Sequence, residues 1–156
     1  MKLGVALLLA SVITASLAAS DGRPLDVNAQ AKGADHIVVG VVTDLQSRFD
    51  TNEYGDHLIF TQAWLEVQDT LKGARLSVIP VDLEGGSIGE LTLKVSDMPP
   101  MRKGDRAVFF LKSRGAGVEV PHGRGNGILK LDAADRVQGL GMTLADIKAM
   151  VRSALK

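Results

Sequence analysis

Residues 58–68 read Leu58-Ile59-Phe60-Thr61-Gln62-Ala63-Trp64-Leu65-Glu66-Val67-Gln68. Ile59, Thr61, Ala63, Leu65 and Val67 fall on one face of an extended chain, and Phe60, Gln62, Trp64, Glu66 and Gln68 on the other. A period of two over this length is the mark of a strand with one face on a core. Gly73, after Leu71-Lys72, supplies the turn that ends it.

The same period recurs on both sides. Upstream, Ile37-Val38-Val39-Gly40-Val41-Val42 is a β-branched run of strand length, and Gly40 within it predicts a bulge or sharp bend. Ser47 to Asp56 is polar and predicts a loop. Downstream, Ile79, Val81 and Leu83 alternate within 76–83, and Glu84-Gly85-Gly86-Ser87 predicts a turn. Leu91, Leu93 and Val95 alternate again, and Pro99-Pro100 breaks the chain. Arg106-Ala107-Val108-Phe109-Phe110-Leu111 is apolar after its arginine and does not alternate, as expected of a strand buried on both faces or nearly so. Short strands at Val118–Val120 and Ile128–Leu131 flank a glycine-rich loop, Gly123-Arg124-Gly125-Asn126-Gly127. Asp132–Asp135 turns the chain into Arg136-Val137.

One helix is predicted, over 143–155. Thr143 is a good N-cap and Asp146 suits the first turn. Leu144, Ile147, Met150, Val151 and Ala154 form a single apolar stripe, which predicts packing on the sheet. Several short strands followed by one helix indicate a mainly β domain over 34–156, an antiparallel sheet closed into a small barrel.

The chain has 156 residues, and its first twenty have the form of a secretory signal peptide. Lys2 gives the positive start, Leu3 to Ile13 is apolar or small, and cleavage fits after Ala18 or Ser20. The apolar run falls short of the roughly 20 residues that span a bilayer. The expectation is an exported protein, periplasmic or secreted, with no membrane span after cleavage. Residues 21–33 are small, polar and turn-rich, and read as a flexible leader. Acidic and basic residues balance, 18 against 18. With no basic stripe, nucleic acid is not an expected partner. There is no cysteine, so stability must come from the core, and thiol catalysis and thiolate metal sites are excluded.

Ala34-Asp35-His36-Ile37-Val38-Val39-Gly40-Val41-Val42, followed by Thr70-Leu71-Lys72-Gly73, Gly85-Gly86, Gly104-Asp105-Arg106-Ala107-Val108-Phe109-Phe110-Leu111 and Gly125-Asn126-Gly127-Ile128, resembles exported bacterial domains of OB-like fold and unknown function. The opening is also similar to that of netrin-like and tissue-inhibitor-of-metalloprotease modules. The resemblance implies a five-stranded OB-type barrel over most of 34–137. Such inhibitors chelate their target's zinc through an N-terminal cysteine, which this chain lacks, so that chemistry does not carry over.

No catalytic constellation is expected. Ser47, Ser77, Ser87, Ser96 and Ser113 lack a G-x-S-x-G elbow. His36, His57 and His122 show no HxH or HExxH spacing, and neither a metal nor a cofactor is predicted, although His36 and His57 end adjacent strands where they could meet near Asp35 or Asp56. The glycines of 123–127 lack the Lys and Ser/Thr of a phosphate-binding loop, and read as a connection that needs positive φ. Phe60 and Trp64 share the outer face of their strand, with Tyr54 in the adjacent loop, and are the candidate binding residues. The function expected is an exported, non-enzymatic module that binds an unknown protein partner through loops and one face. The alternative is a barrel that stacks a carbohydrate or small ligand on these aromatics.

Overall fold

The computed structural model describes residues 25–156, so the signal sequence read at 1–20 lies outside the described residues. The strands are β1 (His36–Thr51), β2 (His57–Lys72), β3 (Val78–Glu84), β4 (Gly86–Ile88), β5 (Leu91–Leu93), β6 (Arg106–Gly115), β7 (Val118–Pro121) and β8 (Ile128–Leu131). Two α-helices, α1 (Val27–Gly33) and α2 (Leu144–Ala154), bracket them.

The alternation of 58–68 decides which side of β2 is buried. Ile59, Ala63 and Leu65 are buried, while Glu66 and Gln68 are exposed. Phe60 breaks the pattern, buried on the outer face. β1 and β2 form a long antiparallel hairpin from Ile37↔Lys72 to Thr51↔His57, with a register shift at Val39/Gly40 where a bulge was expected. The main sheet runs β1-β2-β3-β7-β6-β8, and β1 also pairs with β6, from His36↔Leu111 to Val41↔Arg106. β3 and β7 are parallel, through Val81↔Glu119. The sheet is therefore mixed rather than antiparallel throughout. The long excursion from β3 to β7 lets the chain return in the same direction, which a tight hairpin does not allow.

Burial on both faces follows from two cores. Val38, Val42, Ala63, Leu65, Ile79, Val81, Leu83, Ala107, Phe109 and Leu111 pack together on one side of the sheet. Ile37, Val39, Val108, Phe110, Leu129 and Leu131 pack on the other side, against Val27 and Ala31 of α1 and Leu144, Ile147 and Val151 of α2. The apolar runs 37–42 and 107–111 thus feed alternate residues to the two cores. α2 has the expected capping box, with Thr143 and Asp146 exchanging hydrogen bonds.

Three stretches depart from the sequence reading. Residues 47–51, expected as loop, continue β1 by pairing with His57–Thr61 of β2, although Phe49 is the one apolar residue among them. The expected leader carries α1 from Val27 onward, capped by Asp26, with Val27 and Ala31 fully buried. Lys72 Nζ holds its end by donating to the carbonyls of Ala31 (2.9 Å), Lys32 (3.2 Å) and Ala34 (2.6 Å). The strand expected at 91–95 is the three-residue β5, which pairs only with β4 in a separate two-stranded sheet. Gly86, at the crossing between them, has φ +136, and a Cβ there would stand 2.1 Å from the Thr61 hydroxyl oxygen.

Candidate functional site

The outer face of β2 and β3 carries an open cleft of about 290 Å³ between the tips of two hairpins. The first tip, between β1 and β2, is fixed by Asn52. Its Oδ1 accepts from the backbone N–H groups of Tyr54 (3.0 Å) and Asp56 (2.8 Å), a local bonding pattern that asparagine favours. The second tip, between β6 and β7, turns through Gly115, Ala116 and Gly117, all at positive φ. Arg114 precedes it and lies over the Phe60 ring, with its guanidinium carbon 5.7 Å from the centroid.

Two other arginines frame the cleft and are held by carboxylates. Arg48 donates to both oxygens of Asp82 (3.1 and 2.6 Å) and to Asp50 (3.1 Å), and Gln62 Nε2 also donates to Asp82 (3.2 Å). Asp82 is buried, and a buried carboxylate requires this pairing. The hydrogen bonds that Arg48 donates to Asp82 raise the Arg48 pKa above its usual value. Arg124 donates to Asp97 (2.5 Å) and Glu84 (2.8 Å), which raise its pKa as well. In return Arg124 holds the Asp97 carboxyl below the usual range. Gly125 permits this contact, because a Cβ there would stand 1.6 Å from the Asp97 carbonyl oxygen. The glycines of 123–127 thus serve close approach as well as positive φ.

Among the described residues, Arg114 forms no ion pair. The cleft therefore presents one guanidinium on an aromatic ring without an ion pair, and Glu53, which also lines it, forms none either among the described residues.

No family model matches this chain, and no curated protein is similar to it.

Of the three aromatics singled out in the sequence, only Phe60 lines this cleft, and it is 3% exposed beneath Arg114. Trp64 is half-buried further along β2, paired with Asp44 and Pro80, and does not line the cleft. Tyr54 is 81% exposed at the hairpin tip and does not line it either. Sequence reasoning missed Arg48, Asp82, Arg114 and Arg124. Asp82 carried a signal, being a charged residue between two core positions, Val81 and Leu83.

His36 and His57 do not meet. Antiparallel pairing sends them to opposite ends of the β1–β2 hairpin. His57 stacks on Phe49, with centroids 5.5 Å apart. His36 Nδ1 lies 3.1 Å from Glu119 Oε1. The His122 ring packs on Gly33, where a Cβ would stand 2.1 Å from Nε2. Among the described residues, no group of three or more metal-binding side chains comes together, and no helix is long and apolar enough to cross a membrane.

Proposed function

We propose that this chain is an exported, non-catalytic binding module of OB-like architecture, and that the cleft between Asn52 and Arg114 takes an acidic segment of a protein partner. The architectural part rests on the order of pairings. The pairing order β1-β2-β3-β7-β6, with β6 also paired to β1 and one parallel contact between β3 and β7, supports an OB-type arrangement. In that architecture the face of strands two and three and the loops beside it carry ligands. Export rests on the signal-like pattern of residues 1–20, a positive start followed by an apolar run and small residues.

The observation that carries the functional reading is Arg114, spread on Phe60 and without an ion pair among the described residues, its charge reaching only as far as helping to lower Asp50. Arginine held on an aromatic face keeps its planar fork for a carboxylate, and arginine and aromatic anchors dominate the energetics of interfaces. Size supports a protein partner. About 290 Å³ is at the lower limit of small-molecule sites and suits one or two side chains. Phe60, covered by Arg114, offers no open face on which a sugar could stack.

The test is capture of partners from the periplasm and culture medium by the wild type and by Arg114→Glu. The expected result is a protein retained by the wild type and lost, by about tenfold or more, from Arg114→Glu at unchanged melting temperature. Equal capture by both proteins rejects the cleft. Glycan titrations that shift Trp64 fluorescence would favour the carbohydrate alternative.

A further inference from the structure

A second and larger hollow, of about 560 Å³, lies where the β4–β5 hairpin and the returning segment 94–101 pass over the main sheet. We propose that it binds a single-chain amphiphile with an anionic head group, a free long-chain carboxylate. Leu45, Leu83, Leu93, Val95, Met98 and Met101 supply apolar wall. Leu45, Met98 and Met101 also pack against the interior core, so the hollow extends that core outward. The volume falls within the range of small-molecule sites, which are apolar with a few polar groups that fix orientation. Two methionines give the wall the adaptability that a flexible chain requires.

The polar groups of the hollow narrow the ligand. Ser87 and Thr92 bond each other across the hairpin at 2.8 Å. The Thr61 hydroxyl donates to the Gly85 carbonyl at 2.7 Å. Glu84 is paired with Arg124 at 2.8 Å, which it shares with Asp97. Lys94 is the exception. It lines the hollow, is exposed, and forms no ion pair among the described residues. An apolar wall with one uncommitted ammonium complements an alkyl chain that ends in one negative charge. A zwitterion or a sugar would leave its other polar groups unpaired.

Dodecanoate below its micellar concentration is the probe, with dodecanol as its uncharged counterpart, and ¹³C-methyl methionine NMR of the full domain is the readout. Expected are saturable, one-to-one shifts of the Met98 and Met101 methyls. Dodecanol should bind about tenfold more weakly, and Lys94→Ala should bind dodecanoate about as weakly as the wild type binds dodecanol. Lys94 is exposed and outside both cores, so this variant folds. Val95→Trp, which fills the hollow, should abolish the shifts at an unchanged fold. Absence of saturable methyl shifts, or equal affinity for dodecanol and dodecanoate, overturns the proposal. Binding that Lys94→Ala leaves untouched overturns the role of the ammonium. Met98 and Glu84 line both hollows, so the Met101 methyl is the diagnostic shift, and its retention in Arg114→Glu separates this site from the cleft.

Discussion

Among the described residues, Glu119 is one of two buried carboxylates, with Asp82, and it pairs with Val81 across the sheet. One oxygen meets His36 at 3.1 Å, and the other is buried without a partner. A buried polar atom left unpaired is costly, so the pair is expected to stabilise little while the loss of either member hurts. His36→Leu should cost roughly 1–3 kcal/mol, whereas the double variant His36→Leu/Glu119→Met should recover most of that loss. Urea denaturation of the four proteins of the cycle measures it, and additive losses would contradict the reading. Ala116 presents the opposite situation, a side chain where none is wanted. It holds φ +51 between two glycines, a conformation that costs an L-residue roughly 1–2 kcal/mol. Ala116→Gly should therefore raise stability by about 0.5–1 kcal/mol, seen as a higher melting temperature, because relief of this strain exceeds the entropy that glycine adds to the unfolded chain.

α1 is seven residues long, too short to persist alone. Its burial of Val27 and Ala31 and the triple cap from Lys72 hold it in place. Lys72→Met should cost about 1–2 kcal/mol and raise hydrogen exchange through 27–33 while β2 and β6 stay protected. Unchanged exchange there would show that packing alone suffices. This helix also marks the limit of sequence reading. A single turn or two with one small and one branched apolar residue has no visible period, and only the tertiary contact creates it. The β1 half of the hairpin beyond Leu45 escaped for a similar reason, since Phe49 is the one apolar residue in 46–51 and no alternation is written there. By contrast, 58–68 and the stripe of α2 face core on one side and water on the other, and both were legible with their caps and turns. The cleft was half legible. Phe60 stood out as an aromatic on an outer face. Its partner Arg114 lies 54 positions away in the chain, in a strand end that turn geometry, not composition, brings over the ring.

The domain as a whole is stapled by carboxylates rather than by disulfides. Asp69 is held below the usual range by Lys148, which ties β2 to α2 at 2.7 Å, and Asp97 is held low by Arg124. Asp35 is lowered by the Ser113 backbone N–H and by Lys112, and Asp146 by the N–H and hydroxyl of Thr143. Each has a lower pKa folded than unfolded, where aspartate titrates near 3.9. The stability they contribute is present in full above about pH 4 and is lost as pH falls through the folded values. The urea midpoint should thus stay level with respect to these groups at neutral pH and drop once pH falls below about 4. A midpoint that rises on acidification would contradict this. All of these ties presuppose one arrangement, β1 shared between β2 and β6 with β3 beside β7, which sets the two cores and opens the cleft on the outer face. Backbone nuclear Overhauser contacts in the labelled domain test it most directly. The account predicts cross-strand contacts that join the residues around Val39 to those around both Asp69 and Val108, together with contacts between Val81 and Glu119 in parallel register. A spectrum that joins β1 to β2 alone, or places β7 antiparallel to β3, would contradict it.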